Sequence, residues 1–312
     1  MYYLMLRFSI SNNLVQFKSL LTLIAKHGEY IRFKISKEGI SFEGTDRASY
    51  SYLFVVFKLG MFDKFEFNGQ STKEFSAWFD SQQFVKLLKL VDTIPIECEI
   101  DNNYFRLKLV EKGKEKLVSL AQLAPLRVED MPAMNFDEFD LQLKMNVTTL
   151  REILKNVENI GGHEVYLSWN PEGLKMETKM ELSQASITVM LKRSTPLTAV
   201  DGQSRMADSE VDFSRIGTGS ASFRTELLEN IIWAELGTIT FSIKEKDMPL
   251  FIESTGNAFS LRFIVAPFIS EDVGRESSWE RDVTIQTTHI ATDGQSTEGG
   301  TEDGKSEWKS IE

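Results

Sequence analysis

Glu29–Phe57 reads EYIRFKISKEGISFEGTDRASYSYLFVVF, and Glu164–Leu191 reads EVYLSWNPEGLKMETKMELSQASITVML. Both run strand, Glu-Gly turn (Glu38-Gly39, then Glu172-Gly173), strand, short loop, strand, and each follows an amphipathic segment of similar length. A duplication of this size makes the chain two copies of one unit, so the repeat governs the reading of every local motif. It also directs attention to a surface that repetition could build, away from a single reactive pocket.

Working outward, Ser11–His27 places Leu14, Phe17, Leu20, Leu21 and Ile24 at the spacing of one helical face, with Ser11 as its cap and Gly28 after its end. Ser81–Val91, Thr148–Ile160 and Arg224–Leu236 repeat that spacing, through Phe84, Leu87 and Leu88, through Leu150, Ile153 and Leu154, and through Leu227, Leu228 and Ile231. Short β-rich runs lie between the helices, from Tyr30–Ser36 to Lys116–Leu123 and from Val165–Trp169 to Ser260–Val265. Helices separated by hairpins predict an α+β fold of two similar domains, each a doubled helix-plus-strands unit. The expected divisions are residues 1–123, an extended connector at 124–137, residues 138–272, and a disordered acidic tail at 273–312. Arg193–Arg215 reads as a second long irregular loop.

The 312 residues carry a formal net charge of −11, with a pI near 5.0. From Val273 onward there are nine acids against four bases, and the remaining body, with 37 acids and 31 bases, is acidic too. An ordinary nucleic-acid binder shows a basic balance, because Lys and Arg displace counterions from phosphates. Any DNA role here must localise its positive charge.

Hydrophobic residues make up 42% and charged residues 26%, ordinary values for a globular chain. No apolar run approaches the ~20 residues of a membrane span, and Met1–Ile10 alternates as a strand and not as a signal peptide. The single cysteine, Cys98, sits in an apolar run and is expected as a small buried hydrophobe.

Convergent reactive groups are missing from the sequence. His27, His163 and His289 are far apart, and the first two, at helix ends, read as solvated caps. There is no Cys-x-x-Cys, no Gly-rich phosphate loop and no G-x-S-x-G. The acid pairs Glu129-Asp130, Asp137-Glu138 and Glu271-Asp272 could hold magnesium in principle, but they fall in or beside linkers. Neither a cofactor nor a metal is expected.

Asp247–Glu253 (DMPLFIE) resembles the acidic-x-Pro-Leu strand of the sliding clamps of the proliferating-cell-nuclear-antigen (PCNA) family. Phe263–Ile269 (FIVAPFI) resembles that family's terminal Leu-Ala-Pro-x-Ile strand, and Lys37-Glu38-Gly39-Ile40 followed by Asp46 resembles its first turn and loop. The likeness covers about residues 3–272, in wording nearer the archaeal members than the eukaryotic ones.

The resemblance implies a DNA-clamp fold that forms a ring on trimerisation with self or sister subunits, helices lining the hole and sheets outside. It implies a non-enzymatic processivity factor, intracellular and with the chromosome, that encircles double-stranded DNA without sequence preference. Through a short client motif it would tether DNA polymerase, clamp loader, flap endonuclease and DNA ligase, with no membrane partner.

Carried over, the DNA-facing residues are Lys18, Lys86, Lys89, Arg151, Lys155 and Arg224; Lys86 and Lys89, and Arg151 and Lys155, share helical faces. By themselves such cations read as ordinary solvated faces, and Glu226, Glu229 and Glu235 interrupt the positive lining on the fourth helix. The client pocket would take Tyr50, Val128, Met131, Pro132, Phe136, Pro249, Ala266 and Pro267. Subunits would meet through Glu115–Leu123 and Gln184–Leu191, with Lys116, Val118, Leu120, Ile187 and Val189 at the contact. Two other readings stand beside it: a DNA-damage checkpoint clamp subunit of the same fold, and a metal-dependent nuclease.

Overall fold

The computed structural model describes residues 5–68, 74–91, 96–111, 114–125, 138–179, 186–193, 211–232 and 234–269. The expected tail and residues 126–137 of the connector lie outside the described residues.

The first half runs β1 (Met5–Ile10), α1 (Leu14–His27), β2 (Tyr30–Ser36), β3 (Gly39–Thr45), β4 (Ser51–Lys58), β5 (Lys64–Asn68), β6 (Glu74–Asp80), α2 (Ser81–Leu88), β7 (Ile96–Asp101), β8 (Tyr104–Glu111) and β9 (Lys114–Ala121). The second half repeats that order: β10 (Leu141–Asn146), α3 (Val147–Asn159), β11 (Glu164–Asn170), β12 (Gly173–Lys179), β13 (Ser186–Lys192), β14 (Val211–Ile216), β15 (Gly219–Arg224), α4 (Thr225–Ile232), β16 (Thr238–Ile243), β17 (Leu250–Thr255) and β18 (Phe259–Val265).

Among the described residues every strand pair is antiparallel, and the repeat governs how they assemble. The first half forms a five-stranded sheet, β5-β1-β7-β8-β9, and the second half forms its counterpart, β14-β10-β16-β17-β18. Likewise β4-β3-β2-β6 matches β13-β12-β11-β15. Strand β18 pairs along its length with β4, fusing one five-stranded and one four-stranded unit into a nine-stranded sheet. The strands β9 and β13, which correspond to β18 and β4, remain at sheet edges.

Matching rows of side chains fix the correspondence to the residue. Leu6, Ile100, Phe105 and Leu120 lie side by side across β1, β7, β8 and β9, all buried. Leu141, Ile243, Leu250 and Val265 form the equivalent buried row across β10, β16, β17 and β18. The Glu-Gly turns correspond too, since Gly39 faces Lys58 and Gly173 faces Lys192. Both glycines have positive φ (142° and 158°), and a Cβ on either would stand 2.2 Å from a carbonyl oxygen of the neighbouring strand.

The helices form a row, α2 on α1, α1 on α4, and α4 on α3. Their caps refine the sequence expectations. Helix α1 starts at Leu14, and the Ser11 hydroxyl donates to Asp63 (2.7 Å) instead of capping the helix. Asp80 and Asn146 cap α2 and α3, accepting from the amides of Gln83 and Thr148. The expected loop at Arg193–Arg215 ends in strand β14, which pairs with β10.

Candidate functional site

The helix row presents its polar side with an uneven charge. Among the described residues, α1 carries Lys18 and Lys26, α2 carries Lys86 with Lys89 just after it, and neither helix carries an acid. Helix α3 balances Arg151 and Lys155 against Glu152 and Glu158, and α4 has only Glu226 and Glu229. Glu229 is held above the usual carboxylate range, first by burial and then by its neighbours Glu158 and Glu226.

Two of the expected DNA-facing cations are committed inside the helix layer, at equivalent places. Lys18 Nζ donates to the carbonyl of Val91, just past the end of α2 (2.7 Å). Arg151 Nε donates to the carbonyl of Ile232, the last residue of α4 (2.7 Å), with Glu235 at 3.7 Å. In each half the first helix therefore sends a cation to the C-terminal end of the second, where free carbonyls and the helix dipole favour positive charge. Lys86 and Lys89 are exposed, and among the described residues neither has an acidic partner; Lys155 is exposed as well.

Arg224 is displaced further from its expected role. It ends β15 with its guanidinium carbon 5.3 Å from the ring centroid of Tyr50 and 5.1 Å from that of Phe268. This corrects the grouping made from sequence: Arg224 stands with Tyr50, a residue of the expected client pocket, and the aromatic rings hold it there.

The described residues expected to form that pocket lie at strand ends. Leu250 faces Val265 and Val265 faces Ser51, so Pro249, Ala266 and Tyr50 lie side by side just beyond three adjacent strands. The amide of Ala266 donates to the carbonyl of Tyr50 (2.8 Å), and that of Phe268 to Ser222 of β15 (2.7 Å). Residues 266–268 thus cross from the nine-stranded sheet to the edge of the four-stranded one. Pro249, Ala266 and Pro267 are half-buried and Tyr50 is exposed. The loop carrying Tyr50 is pinned by Asp46, whose carboxylate accepts from the amides of Ala48 and Ser51. Val128, Met131, Pro132 and Phe136 lie outside the described residues.

Among the expected contact residues, Lys116 is exposed, Val118, Ile187 and Val189 are half-buried and Leu120 is buried, all on the edge strands β9 and β13. Leu117 and Met190 are exposed large apolar residues on those strands.

Among the described residues, reactive chemistry does not converge elsewhere. A hollow of about 400 Å³ lies on the outer face of the five-stranded sheet, with Leu117 of β9 in its lining. Cross-strand ion pairs line it: Arg7 with Glu99 (2.8 Å), Arg106 with Glu99 (2.6 Å), and Lys108 with Glu115 (2.8 Å). Cys98 is buried, and burial pushes its thiol up, away from the reactive thiolate. Among the described residues no three His, Cys, Asp or Glu side chains cluster as metal ligands would, and no helix is long and apolar enough to cross a membrane.

His27 corrects a second expectation. It is buried, not solvated, with Nε2 3.2 Å from the Gly44 carbonyl and its ring edge-on to Phe263. Burial lowers its pKa to about 4.

No protein-family model matches the chain. A DNA polymerase sliding clamp of Methanosarcina barkeri is 24% identical over 272 residues, covering 85% of this chain and all of that one. Among solved structures, PCNA from Entamoeba histolytica superposes with a TM-score of 0.68 at 15% identity, covering 86% of this chain and 100% of the other. A structure of A. fulgidus PCNA with the C-terminal region of FEN-1 bound gives a TM-score of 0.66 at 15% identity, covering 86% of this chain and 100% of that one.

Proposed function

We propose that this chain, which belongs to the sliding-clamp family, is one subunit of a trimeric ring that encircles duplex DNA and tethers replication enzymes to it, a binding protein and not an enzyme. The observation that carries the reading is the β18–β4 join. Because β9 and β13 correspond to β18 and β4, the join that fuses the halves can be repeated between chains, leaving no free partner when the ring closes.

The repeat sets the register of that contact. Phe263 faces Leu53 and Leu261 faces Val55 within the chain. Carried through the equivalent rows, Val118 of one subunit faces Ile187 of the next, and Lys116 faces Val189. The helix row then lines the hole. Lys86 and Lys89 supply sequence-blind phosphate contacts there, with Lys155 at the other end of the row, while Lys18 and Arg151 hold helices together. Topology retains the DNA, so a chain of net charge −11 needs only weak local attraction. Clients dock beside Tyr50, Pro249, Ala266 and Pro267; in one solved structure the C-terminal region of FEN-1 is bound to the A. fulgidus protein. The chain works inside the cell, on the chromosome.

The test is a disulfide. A Val118→Cys, Ile187→Cys double variant, oxidised after loading onto nicked circular DNA, should give covalently linked trimers that stay on the circle in high salt. Cutting the circle should release them. Linked species that leave intact circles in high salt would disprove encirclement, and linkage only in the shifted pair Val118→Cys, Thr188→Cys would disprove the register.

A further inference from the structure

We propose that Arg224 is a carboxylate-binding fork at the rim of the client groove, so that this chain favours client peptides bearing an acidic side chain beside their aromatic anchor. The inference rests on the groove being a client site, and it adds the chemistry that the site selects.

Three separate segments converge on this one cation. Tyr50 comes from the loop after β3, Arg224 from the end of β15, and Phe268 from the segment after β18. Each ring is anchored by its own backbone. The Tyr50 carbonyl accepts from Ala266, the Phe268 amide donates to Ser222, and the Asp46 carboxylate holds the loop that carries Tyr50. The guanidinium is therefore preorganised by rings, which occupy the π-systems of the group and leave its N–H edge to make hydrogen bonds.

That edge has capacity to spare. Among the described residues its one carboxylate neighbour is Glu226, at 3.6 Å, too long for a hydrogen bond. The side chain is 42% exposed, so a ligand can reach it. Pro249, Ala266 and Pro267 beside it supply apolar surface for an aromatic side chain, and the fork supplies a charged partner next to that surface. A carboxylate is the complement in both charge and shape, because a planar fork binds it through two parallel hydrogen bonds. A lysine-rich client would instead bring a like charge against the guanidinium. The acidic α4 residue Glu226, lying near the fork without bonding it, would be displaced by a client carboxylate of better geometry.

The test uses a labelled peptide carrying a glutamine, a spaced aliphatic residue and two adjacent aromatics. One glutamate is moved through each position flanking the aromatic pair, and every peptide is matched by one with glutamine at the same place. Fluorescence anisotropy with the full chain should show one glutamate position binding about tenfold or more tighter than its glutamine match, as a charge-assisted bidentate contact requires. The gap should close in Arg224→Gln and stay reduced in Arg224→Lys. Equal binding of every glutamate and glutamine pair by the wild-type chain overturns the fork while leaving the groove standing. Failure of all the peptides to bind overturns the groove itself. Because the key comparison is made on the wild-type chain, no folding defect can imitate it.

Discussion

Strands β18 and β9 hold the same place in the two halves, yet they present different chemistry. Toward the core, β18 places Phe259, Leu261 and Phe263, all buried, where β9 has Lys114, Lys116 and Val118. The one is the middle of a nine-stranded sheet and the other an edge. An edge of lysines and modest apolar residues resists indiscriminate pairing, and it can still accept a specific partner strand. Duplication supplied one geometry twice, and side chains made one copy an internal join and left the other an edge, which the proposed ring uses as a contact that can open.

The helices diverge in the same manner. The first half's helices carry cations and no acids, whereas the second half's carry four glutamates. On the proposed reading, DNA contact falls mainly on the first half of each subunit.

The largest effect should come from cutting into the internal join. Phe263 is fully buried, and Phe263→Ala should cost about 3–5 kcal/mol of folding stability, read by urea denaturation. Val118→Ala, at the equivalent position, should leave that stability almost unchanged and raise the concentration needed for trimers in sedimentation. Equal folding losses in the two variants would mean the edge is as much core as the join.

A titration sharpens the same comparison, because His27 packs against Phe263. Its folded pKa is about 4 against an ordinary 6.5. Above pH 6.5 the imidazole is neutral in both states and stability is unaffected. As pH falls from 6.5 toward 4, the unfolded chain takes up a proton that the native state refuses, costing up to about 3 kcal/mol before levelling off below pH 4. The pH-dependence of stability in His27→Gln, subtracted from that of the wild type, should show this slope. Parallel curves would mean that the native site accepts the proton.

The smallest effect should lie on the helices. Lys86→Ala with Lys89→Ala should weaken salt-sensitive DNA binding several-fold, and lower the salt slope by about two if both lysines touch phosphate. Glu226→Gln with Glu229→Gln should strengthen binding slightly. Equal and opposite changes would show that DNA visits both halves alike.

Much of this was legible in the chain. The repeat, the four helices, the Glu-Gly turns and most strands follow from periodicity, since Gly39 and Gly173 stand where a side chain would strike the next strand. Strands β5, β6, β10, β14 and β15 escape the sequence reading, although Lys64–Asn68 and Leu141–Asn146 alternate, because each run spans only five to seven residues. The helix caps Asp80 and Asn146 sit one and two residues before the helices expected from sequence, a place where a boundary drawn from apolar spacing alone stops short.

Sequence by itself determined the doubling, the acidic balance and the candidate surfaces, because hydrophobic period and turn chemistry are local. Only the tertiary structure decided which copies of a strand are joined, that Lys18 and Arg151 close helix ends, that His27 is buried, and that Arg224 belongs with Tyr50 and Phe268. A long cationic side chain can reach any of several partners from one backbone position. Which partner it meets depends on segments distant in the chain, and those meet only when the fold has formed.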